Sequence, residues 1–171
     1  LVRHEQEVVP LLTYCCEAYP DWQEPVMLLG RAYELLGKNV EAEQVYRRDL
    51  ETRPNHIGTA TMLLNLLERQ QRYSESQRIL RTLPDAVTGM SGFQAREVQA
   101  ALGTQNYEAA ISQLEKLVAG DAKNISARVL LAILTHRVNR DMARAMKLLD
   151  EAKALDPNMV DILSARVAIL R

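Results

Sequence analysis

Bulk recurs along this chain at a fixed interval. Leu12, Tyr46, Leu80 and Leu114 stand 34 residues apart, and Leu149 follows after 35. Ala42, Ser76 and Ala110 keep the same step, with Ala145 again one residue late. The breakers keep time as well: Pro20 and Pro54, then Thr88 and Ala122, then Pro157. A unit that buries the same face each time must reuse the same volumes, so this pattern predicts stacked copies of one short supersecondary unit. The single extra residue is expected near Lys123 to Ile125, where polar residues between two helices can absorb an insertion.

Inside each unit the apolar spacing is helical. Val26, Leu29, Gly30, Tyr33 and Leu36 follow the three-and-four step that puts side chains on one face, and strand alternation is absent. Asp21, Glu24 and Pro25 read as a helix start, Gly37 as its end and Asn39 as a cap for the next helix. The spacing predicts helices over 3–19, 23–37, 40–53, 57–71, 73–82, 91–103, 106–119, 125–139, 141–154 and 158–171. Pro84 ends the helix before it early, because it lacks an N–H and clashes with the preceding turn, which makes Leu83 to Gly92 the expected irregular bend.

Leu29-Gly30-Arg31-Ala32-Tyr33 through Gly37, Ala42, Tyr46 and Pro54 resembles the tetratricopeptide repeat, as do Asn106 to Ile111 and Ala152 to Asn158. The resemblance implies an all-α, right-handed α-α superhelix, a solenoid of helical hairpins. Its expected parts are a half repeat at 1–22, repeats at about 23–56, 57–90, 91–125 and 126–159, and a half repeat at 160–171, read as a single solenoid segment cut from a longer protein. Asp49, Gln94, Glu97 and His136 depart from the family pattern: Asp49 stands at a small-residue position, Gln94 and Glu97 at apolar ones and His136 at an aromatic one. The first helix of each pair lines the concave groove in this family. By resemblance the partner-binding positions are therefore Met27, Arg31, Glu34, Thr61, Asn65, Arg69, Gln99, Leu130, Leu134 and Arg137. That mixture of apolar and Arg side chains suits a peptide gripped through paired guanidinium donors, while solvated charge and contacts between neighbouring helices are the competing reading. The Lys, Asn and Arg clamp of chaperone-tail binders is not expected, since its positions hold Met27, Arg31, Met62, Gly92 and Arg96, of which only Arg96 fits.

Composition narrows the remaining classes. The chain is 47% hydrophobic and 25% charged, enough for a packed core, and its net charge of -1 provides no basic field for nucleic acid or anionic lipid. No apolar run approaches the roughly 20 residues that span a bilayer. His4, His56 and His136 lie in different repeats, phosphate-loop and nucleophile-elbow motifs are missing, and Cys15 and Cys16 are neighbours read as small apolar core or boundary residues. No catalytic residue, metal ligand or cofactor is expected. The expected function is a non-enzymatic scaffold that binds another protein or a peptide segment. The alternative is a spacer or assembly arm in a larger complex, such as a bacterial envelope or polysaccharide-export machine. Leu163, Val167 and Leu170 mark an apolar face near the C-terminal edge that either continues the stack or supports self-association.

Overall fold

The computed structural model describes the backbone of residues 2–171 and the side chains of residues 7–90 and 92–171, so the side chain of His4 lies outside the described residues. Every element among the described residues is helical: α1 (Val2–Ala18), α2 (Glu24–Leu35), α3 (Asn39–Thr52), α4 (Ile57–Arg69), α5 (Tyr73–Thr82), α6 (Asp85–Thr88), α7 (Ser91–Gly103), α8 (Tyr107–Gly120), α9 (Ile125–Asn139), α10 (Met142–Leu155) and α11 (Val160–Leu170). The chain divides into two compact units, residues 1–88 and 89–171, and the division falls inside the bend expected around Pro84. α5 stops two residues before that proline, and the bend holds one further turn of helix, α6.

In the first unit α2 pairs with α3 and α4 with α5, while α1 packs on α2 as a second-type helix. In the second, α7 pairs with α8, α9 with α10, and α11 packs on both α9 and α10. The recurrent volumes hold these hairpins together. Tyr46, Leu80, Leu114 and Leu149 are all buried, Leu12 is half-buried, and Ala42, Ser76, Ala110 and Ala145 have no exposed surface. Gly30 is the sharpest case of small against large. A Cβ built there would overlap the ring of Tyr46, so the α2 backbone lies directly on that aromatic.

Three of the four hairpin turns close in the same way. Gly37, Gln71 and Gln105 take left-handed backbone, and the next N–H reaches five residues back: Lys38 to the Tyr33 carbonyl, Arg72 to Leu67 and Asn106 to Ala101. The fourth turn differs. Arg140 is left-handed, but its own N–H donates to the His136 carbonyl, four residues back.

That difference locates the extra residue. The buried positions Thr59, Ala60, Leu63, Leu64, Leu66 and Leu67 of α4 recur two periods later as Ala127, Arg128, Leu131, Ala132, Leu134 and Thr135 of α9. Register is therefore unbroken through Thr135, and the insertion lies in the last turn of α9, not at Lys123 to Ile125. An added residue at a helix end lengthens α9 to 15 residues against 13 in α4 and swaps one C-cap for another, leaving the buried face untouched. In this register the aromatic position holds Thr135, which is fully buried, and not His136.

Helix starts also depart from expectation. α2 begins at Glu24 behind Gln23, and α3 begins at Asn39 itself, so neither Asp21 nor Asn39 serves as a cap. The second unit is the better capped: Asn106, Asn124 and Asp141 accept from the backbone N–H groups of Ala109, Ala127 and Arg144 at 3.1, 3.0 and 2.9 Å.

Candidate functional site

On the first-helix side of the first unit, the expected groove residues engage one another. Glu34 on α2 accepts a 2.8 Å hydrogen bond from the Tyr46 hydroxyl of α3 and an ion pair from Arg69 of α4, which joins three helices through one carboxylate. Burial, then this bond to Glu34, pushes the Tyr46 phenol well above its ordinary range. The Met27 sulfur packs against Gly58, where a Cβ would overlap it. Thr61 and Asn65 are half-buried on α4, and Arg31 is exposed on α2. Met27, Glu34 and Arg69 thus hold α2 against α4, and Arg31 is the guanidinium on this face turned to solvent.

The second unit offers a cavity. A cleft of about 440 Å³ opens between α9 and α11, lined by Val129, Leu130 and Ile133 on one side and by Ser164, Ala165 and Ala168 on the other, with Met159 and Asp161 at its end. Leu130, one of the expected partner-binding positions, lines this cleft. Leu134 does not: it is 3% exposed and packs in the core with Val98, Leu114 and Leu131. The insertion expected before α9 lies at its end, and in the unbroken 34-residue register Val129 and Ile133 take the places that Thr61 and Asn65 hold in α4. Gln99 on α7 is exposed, and the Arg137 guanidinium lies 5.9 Å from the centre of the Tyr107 ring, a cation–π contact that joins α9 to α8 of the preceding hairpin.

Two polar clusters were not legible as such in the sequence. Asp49, fully buried on α3, sits 2.5 Å from His56 Nδ1, which also lies 2.8 Å from the Thr59 hydroxyl. Arg53 pairs with Asp49 and donates to the Pro20 carbonyl at 2.7 Å, tying the end of α3 to the loop after α1. This network satisfies a carboxylate at a position the repeat pattern reserves for a small side chain. The only hint in the sequence was the seven-residue step from Asp49 to His56. The second cluster joins α3 to α5: Arg72 donates to Glu43 at 2.5 Å and to Glu75 at 2.6 Å, and Arg47 donates to Glu43 at 2.7 Å. The Arg72 bonds hold both carboxyl groups below the ordinary carboxylate range.

No group of three or more His, Cys, Asp or Glu side chains with metal-binding geometry occurs among the described residues. No described helix is long and apolar enough to cross a membrane. Cys15 and Cys16 are half-buried free thiols, and burial raises the Cys16 pKa.

Known proteins place this arrangement. Residues 27–56 and 96–160 each match a tetratricopeptide repeat model. MamA from Desulfovibrio magneticus RS-1 superposes with a TM-score of 0.68 over 91% of this chain and 87% of its own, at 21% identity. The MamA structure named AMB-1 gives 0.68 over 91% and 85%, at 18% identity. YrrB, described as a TPR protein with an unusual peptide-binding site, gives 0.56 over 91% and 97%, at 13% identity. No curated protein sequence matches the chain. With the repeat models on both units and the hairpins in the same register, the chain belongs to the tetratricopeptide repeat family, whose members are in general interaction modules.

Proposed function

We propose that this chain is a non-catalytic scaffold that holds a peptide segment of a partner protein on the first-helix side of its hairpins, and that the α9–α11 cleft is the principal anchor. The observation that carries this reading is the cleft itself. Its walls are apolar, Val129, Leu130, Ile133 and Met159, and its opposite side is made of small residues, Ser164, Ala165 and Ala168. A cleft of this size and character accepts one or two apolar side chains while the small residues let the ligand backbone approach closely. In the first unit Arg31 supplies an exposed guanidinium for a carbonyl or carboxylate. Arg69 serves a ligand only by leaving Glu34, a competition that weakens its part.

Selection of a random peptide library on the chain, followed by chemical-shift mapping, tests the reading. Selected ligands should perturb Val129, Leu130 and Ile133, and Ile133→Asp should weaken them about tenfold or more, given the cost of a charge in an apolar pocket. Ligands that map elsewhere and ignore Ile133→Asp would overturn it.

A second reading, an assembly role, has its own support. Leu163, Val167 and Leu170 on α11 are 52%, 52% and 61% exposed, whereas Arg128, Ala132 and Thr135 at the same positions of α9 are buried under α10. An apolar stripe of that kind suits another helix, from the same polypeptide or from a neighbour. A concentration-dependent mass by light scattering that Leu163→Glu with Leu170→Glu abolishes would favour self-association.

A further inference from the structure

We propose that the second-helix side of the first unit carries a separate docking surface for a basic, partly apolar segment of a partner protein, formed by the cleft between α1 and α3 and by the exposed Tyr19–Trp22 pair at its rim. The cleft measures about 760 Å³ and has Val26, Leu29 and Tyr33 of α2 among its lining residues. Its charges divide into those already committed and those free. Arg47 is held by Glu43 and Glu75, and Arg53 by Asp49 and the Pro20 carbonyl. Glu17, Glu41 and Glu51 also line it and, among the described residues, form no ion pair, against an uncommitted guanidinium on Arg48. The available charge is acidic.

The rim adds a different kind of attraction. Tyr19 and Trp22 meet edge to face with ring centres 6.4 Å apart, and both are more than half exposed. The turn that presents them is closed by its own backbone, Trp22 N–H to the Tyr19 carbonyl at 3.0 Å, and so does not need the rings for its shape. One period later the Trp22 position holds His56, which is buried on Asp49; Trp22 stands in the open instead. Asp21 and Glu24 flank the pair, both exposed and without ion pairs among the described residues, and no Lys, Arg or His occurs between Cys15 and Gly30. Exposed aromatic faces beside uncompensated carboxylates favour a cation, which gains from the ring quadrupole and from the field together. Pro20 belongs to both the cleft and this turn, and Glu17 lines the cleft from the last turn of α1, so the rim leads directly to the apolar patch. The occupant that fits is a segment with Arg or Lys over Tyr19 and Trp22 and an apolar side chain on Leu29 and Tyr33.

Trp22 is the only tryptophan, so its emission reports this surface alone. The probe is an octapeptide alternating Arg and Leu, with Glu/Leu and Ser/Leu octapeptides as controls. The Arg/Leu peptide should change Trp22 emission saturably, weaken as salt rises and lose about tenfold in affinity with Asp21→Asn and Glu24→Gln together. Anisotropy of a labelled Arg/Leu peptide should register a comparable loss with Trp22→Ala, while Ile133→Asp leaves it unchanged, which separates this surface from the α9–α11 cleft. Circular dichroism checks that the variants keep their helicity. An equal response to the Glu/Leu peptide, undiminished binding to the Asp21/Glu24 variant, or no saturable response at all would overturn the proposal.

Discussion

Gly30 and Tyr46 compete for one small volume, and the competition sets the spacing of α2 and α3. Gly30→Ala forces the ring of Tyr46 aside, and because that ring is fully buried and bonded to Glu34 the expected loss is about 1–3 kcal/mol by urea unfolding. Adding Tyr46→Leu should recover part of it, since the other hairpins carry leucine at that position beside larger partners than glycine. Asp49 is a second residue whose neighbours decide its effect. Asp49→Ala removes the partner of both His56 and Arg53 while leaving His56 buried, and about 2–4 kcal/mol should be lost in the same measurement. Glu97 works in the opposite direction. Desolvation raises its pKa, so the folded state disfavours the carboxylate at neutral pH, and Glu97→Gln should raise the midpoint of thermal unfolding at pH 7 while losing that advantage in acid.

At the scale of elements, α3 and α5 are joined across their hairpins by the Glu43–Arg72–Glu75–Arg47 cluster. Glu43 and Glu75 have folded-state pKa values below their unfolded ones, chiefly through their bonds to Arg72. Their contribution is therefore complete above the ordinary carboxylate pKa of about 4.3 and fades as pH falls through the lowered values. Thermal midpoints measured from pH 7 to pH 2 should fall more gently for Glu43→Gln than for the parent on the acid side. Arg72→Met should flatten that limb further, because it removes the main cause of both shifts. The caps carry a related lesson. Asn106, Asn124 and Asp141 stand at or just before the starts of the helices predicted there, and each caps its helix. Asp21 and Asn39 look equally suitable, yet helix starts are set to within a residue by how each hairpin packs, so neither side chain reaches a free N–H.

At the scale of the whole molecule, the helices of each unit pack chiefly on their sequence neighbours within that unit, and stability in such a chain is close to a sum of local terms. Gly30→Ala should accordingly speed hydrogen exchange in α2 and α3 while leaving the most protected amides of α9 and α10 unchanged. Uniform loss of protection through both units would contradict that local coupling.

The recurrence of bulk and smallness every 34 residues was enough to determine an all-helical chain of hairpins, most of its helix boundaries and the bend at Pro84, because those features follow from local propensity and from volumes that must match. Of the two leucines expected on α9, Leu130 lines the α9–α11 cleft and Leu134 is buried in the core. One inserted residue can be absorbed anywhere along a hairpin at similar local cost, and only the packing of α9 on α8 and α10 places it at the helix end, turning Leu134 inward and Ile133 outward. Pairings among charged side chains were equally out of reach. Whether Arg69 meets Glu34 or Asp49 meets His56 depends on the distance between helices, a property of the packed molecule and not of any one segment.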